Sequence, residues 1–404
     1  MILNQSFTRQ LEQASEPREG GHERIAAVMD FPIVVHSHLR WSFVWQRPQQ
    51  THSRLAQRHR ILFLEEPVLD EAGPERLEIT IPSRNLWVAC PRLSTLSDAG
   101  ERVAKLLRDA TAGLLGRRFS NAVHWLYTPM MEAQIDAFPD PRAIVYDCMD
   151  ELSRFAHAPA EMKECEGRLL QRADVVFAGG YELGAAKAKV HGNVHVFGCG
   201  VDYAHFQRAQ SAPCAVDMLA IPRPRLGYIG VIDERLDYDL LRALAQADRS
   251  RSIVLVGPIV KVNPLHLPQE TNLFYLGSRS YDSLPEYLAG FDVCLMPFAM
   301  NEASYYINPT KTLEYLASGR PVLSTPIRDV VRQFRDVVRV SDGAGFDSAV
   351  KEMLAGDVPD RSARLRRAQQ SSWERTVAAM ESLAGRAGFA GNHRLHRSPV
   401  RWRA

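Results

Sequence analysis

The chain has 404 residues, with 49 Lys+Arg against 47 Asp+Glu and a formal net charge of +2. Hydrophobic residues make up 46% and charged residues 24%, which excludes a mostly disordered or collagen-like chain. No run approaches the roughly 18 uninterrupted apolar residues of a membrane span, and a nearly neutral chain is not the profile of a dedicated nucleic-acid binder. The length suggests two domains, with room for tails. Arg dominates the cations. Lys stands only at 105, 163, 187, 189, 261, 311 and 351, so a Lys inside a motif carries weight.

Residues 1–30 are polar, without a basic region followed by an apolar one, and read as a flexible leader rather than a secretory signal. Six cysteines without a CxxC pair read as free thiols in a reducing, cytoplasmic setting. Short apolar runs then follow at 33–35, 61–64, 86–89, 122–126, 143–146, 175–178 and 194–197. Helix-like segments separate several of them, at 49–57, 99–115 and 160–172. This alternation predicts an α/β unit over 31–203 with a parallel sheet.

The pattern lapses over 204–224, where Pro213, Pro222 and Pro224 suggest a linker. It resumes with runs at 225–230, 252–256, 272–276, 293–296, 321–324 and 338–340, and helices at 238–247, 284–289, 310–317 and 347–355. A second doubly wound unit is therefore expected over 225–370. Ser371, Ser372, Trp373 and Glu374 have the form of a capping box, and Trp373, Val377, Met380 and Leu383 share one helix face over 371–386. A basic tail, 387–404, closes the chain.

Open α/β sheets hold ligands beyond the carboxyl ends of their strands. One candidate follows the run ending at Gly230, where glycine permits close approach of a phosphate and Arg235 offers a guanidinium. A stronger one is Asn308-Pro309-Thr310-Lys311, with Glu314 three residues on. Pro309 suits a helix start, and Lys311 opposes the helix dipole unless an anion sits there. Glu314 shares the face of Lys311 and could accept hydroxyl groups. A local ion pair between Lys311 and Glu314 is the plainer alternative.

In the first unit, Trp41, Trp45 and Arg47 follow the first strand. Trp rings suit sugar rings, and Arg47 at a helix start could reach a phosphate. Asp147 and Asp150 follow the run 143–146 and are candidates for a general base. His36 and His38 are alternatives, and Tyr127 and Thr128 are weaker acceptor contacts. No His/Cys/Asp/Glu spacing indicates a metal, no G-x-G-x-x-G opens either unit, and no serine nucleophile elbow is present. Gly179-Gly180-Tyr181 reads as a turn.

The stretch from Asn308 to Val322, of the form PTK-x-x-EYLA-x-G-x-PV, resembles the donor-site signature of GT-B glycosyltransferases. The segment around 276–298 looks like the same family's preceding region, and Trp45-Gln46-Arg47-Pro48-Gln49-Gln50, 146–152 and Gly200-Val201-Asp202 are similar to the subgroup of teichuronic-acid and exopolysaccharide transferases. The resemblance covers roughly residues 31–385. It implies two Rossmann-like domains facing a cleft, with the last helix returning to the first domain. It implies a nucleotide-diphosphate sugar as co-substrate, no separate cofactor and no metal. Lys311 and Arg235 would meet the diphosphate, Glu314 the ribose, Ser278 in the 277–279 loop the base, and Tyr306, Asn308 and Thr310 the sugar or phosphates. The acceptor would be a glycan, a lipid-linked compound or a small molecule. Apart from the resemblance, the basic tail reads as a solvated segment, with electrostatic attraction to anionic lipid at the inner face of the plasma membrane as the lesser alternative. The retaining signature carries a second Glu eight positions before Glu314. Here that position is Tyr306, and Glu302 stands out of register, so retention and inversion both stay open. A nucleotide-sugar 2-epimerase and a non-catalytic sugar-nucleotide binder remain as alternatives.

Overall fold

The computed structural model describes residues 31–155, 158–260, 262–301 and 304–391. The leader, Glu302 and the tail from residue 392 lie outside the described residues.

The first unit is built on β1 (Ile33–Ser37), β2 (Ile61–Glu65), β3 (Val68–Leu69), β4 (Arg76–Ser83), β5 (Leu86–Leu93), β6 (Val123–Leu126), β7 (Ala143–Cys148), β8 (Val175–Ala178) and β9 (Val194–Val196). They form one sheet in the order β3-β5-β2-β1-β6-β7-β8-β9, with β4 paired antiparallel to β5 and the other pairings parallel. Helices α1 (Arg47–Leu55), α2 (Ala99–Thr111), α3 (Leu114–Phe119), α4 (Met162–Arg172) and α5 (Tyr181–Lys187) connect them. The pleat sorts the side chains. In β1, Ile33 and Val35 join one core layer and Val34 the opposite one. In β2, Ile61 and Phe63 part from Leu62 and Leu64 in the same way.

Several boundaries differ from the sequence expectation for local reasons. α1 starts at Arg47, with Pro48 in its first turn, where the missing N–H costs nothing. The run expected as one helix over 99–115 breaks at Gly113 into α2 and α3. The β4 strand, with Leu77, Ile79 and Ile81 alternating with polar residues, was not anticipated.

The stretch expected as a linker is packed. It forms α6 (Tyr203–Phe206) and two single 3-10 turns, and Phe206, Ala209 and Met218 are buried in the second core. That second unit comprises β10 (Arg225–Ile229), β11 (Ser252–Val256), β12 (Leu273–Gly277), β13 (Val293–Met296), β14 (Val322–Ser324) and β15 (Arg339–Val340). Its all-parallel order is β12-β11-β10-β13-β14-β15. The accompanying helices are α7 (Tyr238–Ala247), α8 (Leu284–Gly290), α9 (Lys311–Ser318), α10 (Arg328–Phe334), α11 (Phe346–Leu354) and α12 (Arg361–Gln369).

The last helix, α13 (Trp373–Gly391), crosses back. Trp373, Val377, Met380 and Ala384 are buried in the core of the first unit. Arg54 meets Glu374 at 2.9 Å, and His59 meets Glu381 at 2.7 Å. The cap is shifted by one residue from the expected box. Ser372 Oγ accepts the Arg375 N–H at 3.4 Å, while Glu374 is drawn off by Arg54. No described helix is long and apolar enough to cross a membrane.

Candidate functional site: the cleft at the two strand-order reversals

Strand order reverses between β10 and β13 in the second sheet, and between β1 and β6 in the first. Connections leave such a point in opposite directions and open a crevice beyond the strand ends. A cleft of about 480 Å³ lies there, lined from both units.

On the second unit, β10 pairs with β13 only at Leu226 and Gly227 and then diverges. The polar groups of Ile229 on that side would be orphaned. The Tyr315 hydroxyl of α9 takes their place, accepting from Ile229 N at 2.8 Å and donating to Ile229 O at 3.3 Å. This bond pins the helix start against the strand end. Gly230 follows with φ +152°, and a Cβ there would stand 1.9 Å from Lys311 Cε. Glycine is thus required both by the backbone and by the lysine stem lying over it. Gly257, φ +150°, makes room in turn for the Gly230 carbonyl.

Lys311 opens α9 and is half-buried, with its ammonium 5.8 Å from the centre of the Tyr228 ring. Among the described residues no carboxylate lies within ion-pair distance of it. The plainer alternative, a pair with Glu314, is therefore not formed. Burial lowers the Lys311 pKa, with Glu314 opposing the shift. Burial raises the Glu314 carboxyl, with Lys311 opposing. Arg235 is held by Asp233 at 2.7 Å. Burial works against its charge, but Asp233 more than compensates, and its pKa ends above the usual value. Gly230, Arg235, Ser278, Asn308, Thr310, Lys311 and Glu314 all line the cleft. Tyr306 does not. It packs on the core of the first unit beside Tyr305, so the expectation of a donor contact is corrected.

On the first unit, Asp150 and Asp147 meet different fates. Asp150 lies just past β7, half-buried and lining the cleft. Burial raises its pKa, with Arg235 pulling it back. Asp147 is still within the strand, on the same side of the sheet as Val145, and is fully buried. It accepts the Trp125 indole N–H at 3.0 Å and pairs with Arg47 at 2.8 Å. It is a core counter-ion and not a base facing the cleft.

Arg47 is corrected with it. Its side chain borders the cleft, yet it is 3% exposed, and its guanidinium is taken by Asp147 and by the Phe197 carbonyl at 2.6 Å. Tyr127 is 1% exposed with its hydroxyl 3.2 Å from His52, which removes it from acceptor binding. Trp41 packs edge-on to Phe63 at 5.2 Å and does not line the cleft. Trp45 does, and faces Tyr281 of the other unit at 6.2 Å. His36 is fully buried against His124 at 3.0 Å, and burial lowers its pKa to about 3.

Contacts across the cleft hold the units together. Gln50 donates to Tyr281 at 3.1 Å, Asn308 to the Gly179 carbonyl at 3.1 Å, and Tyr181 N–H to Asp329 at 2.9 Å. Residues 179–181 are thus an inter-unit contact, and in place of the expected turn Gly180 caps α5, which opens at Tyr181. Tyr281, Tyr315 and Gly257 escaped sequence reasoning. Tyr315 sits inside the 308–322 motif, which was a usable signal, whereas nothing local marks Tyr281. No group of three or more His, Cys, Asp or Glu suited to a metal occurs among the described residues.

Residues 223–356 match the family model described as Glycosyl transferases group 1. TuaH of Bacillus subtilis (strain 168), named for a glycosyltransferase role in teichuronic acid biosynthesis, is 27% identical over 202 residues, 45% of this chain. The chain matches about half the length of that relative, 50%. A sucrose-phosphate synthase from Thermosynechococcus elongatus superposes with a TM-score of 0.68 at 14% identity, over 89% of this chain and 100% of that one. A trehalose-phosphate synthase from Burkholderia xenovorans in complex with glucose-6-phosphate gives 0.62 at 12%, over 89% and 100%. An E. coli protein bound with UDP-2-fluoro glucose gives 0.59 at 12%, over 87% and 98%. Nothing in these relatives favours an epimerase. Over residues 223–356 the second unit is therefore similar to the Glycosyl transferases group 1 family, and the chain as a whole has the GT-B fold.

Proposed function

We propose that the protein transfers a sugar from a nucleotide-diphosphate sugar to an acceptor hydroxyl, without a metal. One observation carries the reading. A half-buried lysine with no carboxylate within ion-pair distance among the described residues opens a helix at the strand-order reversal, and it lines the same cleft as the half-buried carboxylate of Asp150.

The donor lies on the second unit. Lys311, Arg235 and the α9 N-terminus neutralise the diphosphate and the charge that grows on it as it leaves. Glu314 accepts ribose hydroxyls, and Ser278 borders the base. The acceptor enters along Trp45. Its hydroxyl oxygen attacks the anomeric carbon, the bond to the diphosphate breaks, and Asp150 takes the hydroxyl proton. The raised pKa of Asp150 makes it a better proton acceptor than an exposed carboxylate. Closing the two units around the donor excludes water from the anomeric centre. A cytoplasmic setting, with the basic tail at the inner face of the plasma membrane, completes the proposal.

The test is nucleotide release. UDP-, GDP- and dTDP-sugars are incubated with and without a pool of glycoside acceptors. Acceptor-dependent release of one nucleoside diphosphate is expected. Donor turnover into an isomeric nucleotide sugar without acceptor would replace this reading with epimerisation.

A further inference from the structure

The two walls of the cleft differ in charge. The donor wall carries Lys311, with no carboxylate in ion-pair distance among the described residues, and Arg235 and Arg279, each paired on its own side with Asp233 and Asp217. Among the described residues lining the acceptor wall, Arg47 supplies the positive charge, and its guanidinium is spent on Asp147 and on the Phe197 carbonyl. The remaining charge is the Asp150 carboxylate. Around it stand Phe43, 47% exposed, with Val44, Trp45 and Met149.

A phosphomonoester on this wall would shed its hydration, meet no free cation, and face Asp150 with like charge. A neutral ring would bury its apolar face on Trp45 and Phe43 and leave its hydroxyl groups to Asp150. We infer that the acceptor is an uncharged glycoside ring, seated on Trp45, and that phosphorylated sugars are rejected. The inference rests on the transferase reading and names the acceptor class within it. It sets this cleft apart from that of the Burkholderia xenovorans neighbour, solved with glucose-6-phosphate.

The experiment is acceptor binding to the full chain saturated with UDP, GDP or dTDP, whichever binds, followed by saturation-transfer NMR. The probes are 4-nitrophenyl glucoside and glucose 6-phosphate at equal millimolar concentration. Binding of the neutral glucoside and not of the phosphate is expected. Trp45→Ala should weaken the glucoside about tenfold while nucleotide affinity holds. Ser42→Arg, which places a free cation on this wall, should strengthen glucose 6-phosphate about tenfold. Equal or tighter binding of glucose 6-phosphate by the unaltered protein would overturn the inference, and so would binding of neither probe. Failure of all three nucleotides to bind is a separate result, and it removes the donor reading instead.

Discussion

The donor and acceptor walls use charge in opposite ways. On the donor wall, Lys311 and Glu314 reach the cleft without an ion-pair partner among the described residues, and Arg235 reaches it while held by Asp233. On the acceptor wall, Arg47 and Asp147 neutralise each other beneath the surface, and Asp150 alone emerges. The contrast comes from where the residues sit on their elements. The donor groups lie on a helix opening and on a loop after a strand, both of which point beyond the sheet. Asp147 lies within β7, where the pleat sends it into the layer between sheet and helix. Three residues further on, Asp150 is past the strand end and free of that constraint. A charged residue near a strand end is therefore functional or structural according to its register, and not its neighbourhood.

The largest expected effect breaks the acceptor side. Asp150→Asn should lower kcat about 10²–10⁴-fold while nucleotide-sugar affinity stays close to that of the unaltered protein. Steady-state kinetics with calorimetry would show the split, and a variant of near-normal kcat would remove Asp150 from the chemistry. Because burial raises the Asp150 pKa, the acidic limb of kcat/KM should lie above that of an exposed aspartate and vanish in this variant.

Next, Asp147→Ala should cost stability, about 3–5 kcal/mol, because Arg47 would remain buried without its partner. Urea denaturation measures it. A stable but inactive variant would return Asp147 to the chemistry.

Acid provides a third probe. His36 and His52 titrate at about 3 in the fold because they are buried, against 6.5 when exposed. Between those values the unfolded chain binds protons that the folded chain does not. Stability should thus hold above pH 6.5 and fall below it, by up to about 1.4 kcal/mol per pH unit for each histidine. Both belong to the first unit, so its far-UV and fluorescence transitions should shift first. A stability that is level between pH 7 and pH 4 would contradict the assignment. The smallest effect is Tyr315→Phe, about 1 kcal/mol, since Ile229 N–H loses its acceptor. Thermal unfolding reads it, and an unchanged transition would mean that water replaces the hydroxyl.

The alternation of apolar runs and helix-like segments made both parallel sheets legible, and the contiguous 308–314 stretch made the donor wall legible. A site local in sequence needs no knowledge of register. The acceptor wall was harder because its residues come from several strand ends. Trp41, Trp45, Arg47 and Tyr127 all follow strands and offer acceptor contacts on paper, and only packing separates Trp45 from the rest. The resemblance places Tyr306 at the sugar or phosphates, but the 3-10 turn over Ser304–Tyr306 directs it to the other unit. The β4 strand was missed because its alternation is mostly polar on one face and edge-exposed. The packing of 204–224 was hidden by its prolines, which break periodicity without preventing burial of Phe206 and Met218.

The most direct measurement titrates a nucleotide-diphosphate sugar into Lys311→Ala and Asp150→Asn side by side. Loss of the charge-assisted contacts should weaken binding to Lys311→Ala about 10–100-fold. Asp150→Asn should bind the donor as the unaltered protein does and fail to transfer the sugar. Donor affinity unchanged in Lys311→Ala, or lost equally in both variants, would contradict the division of the cleft into a donor wall and an acceptor wall.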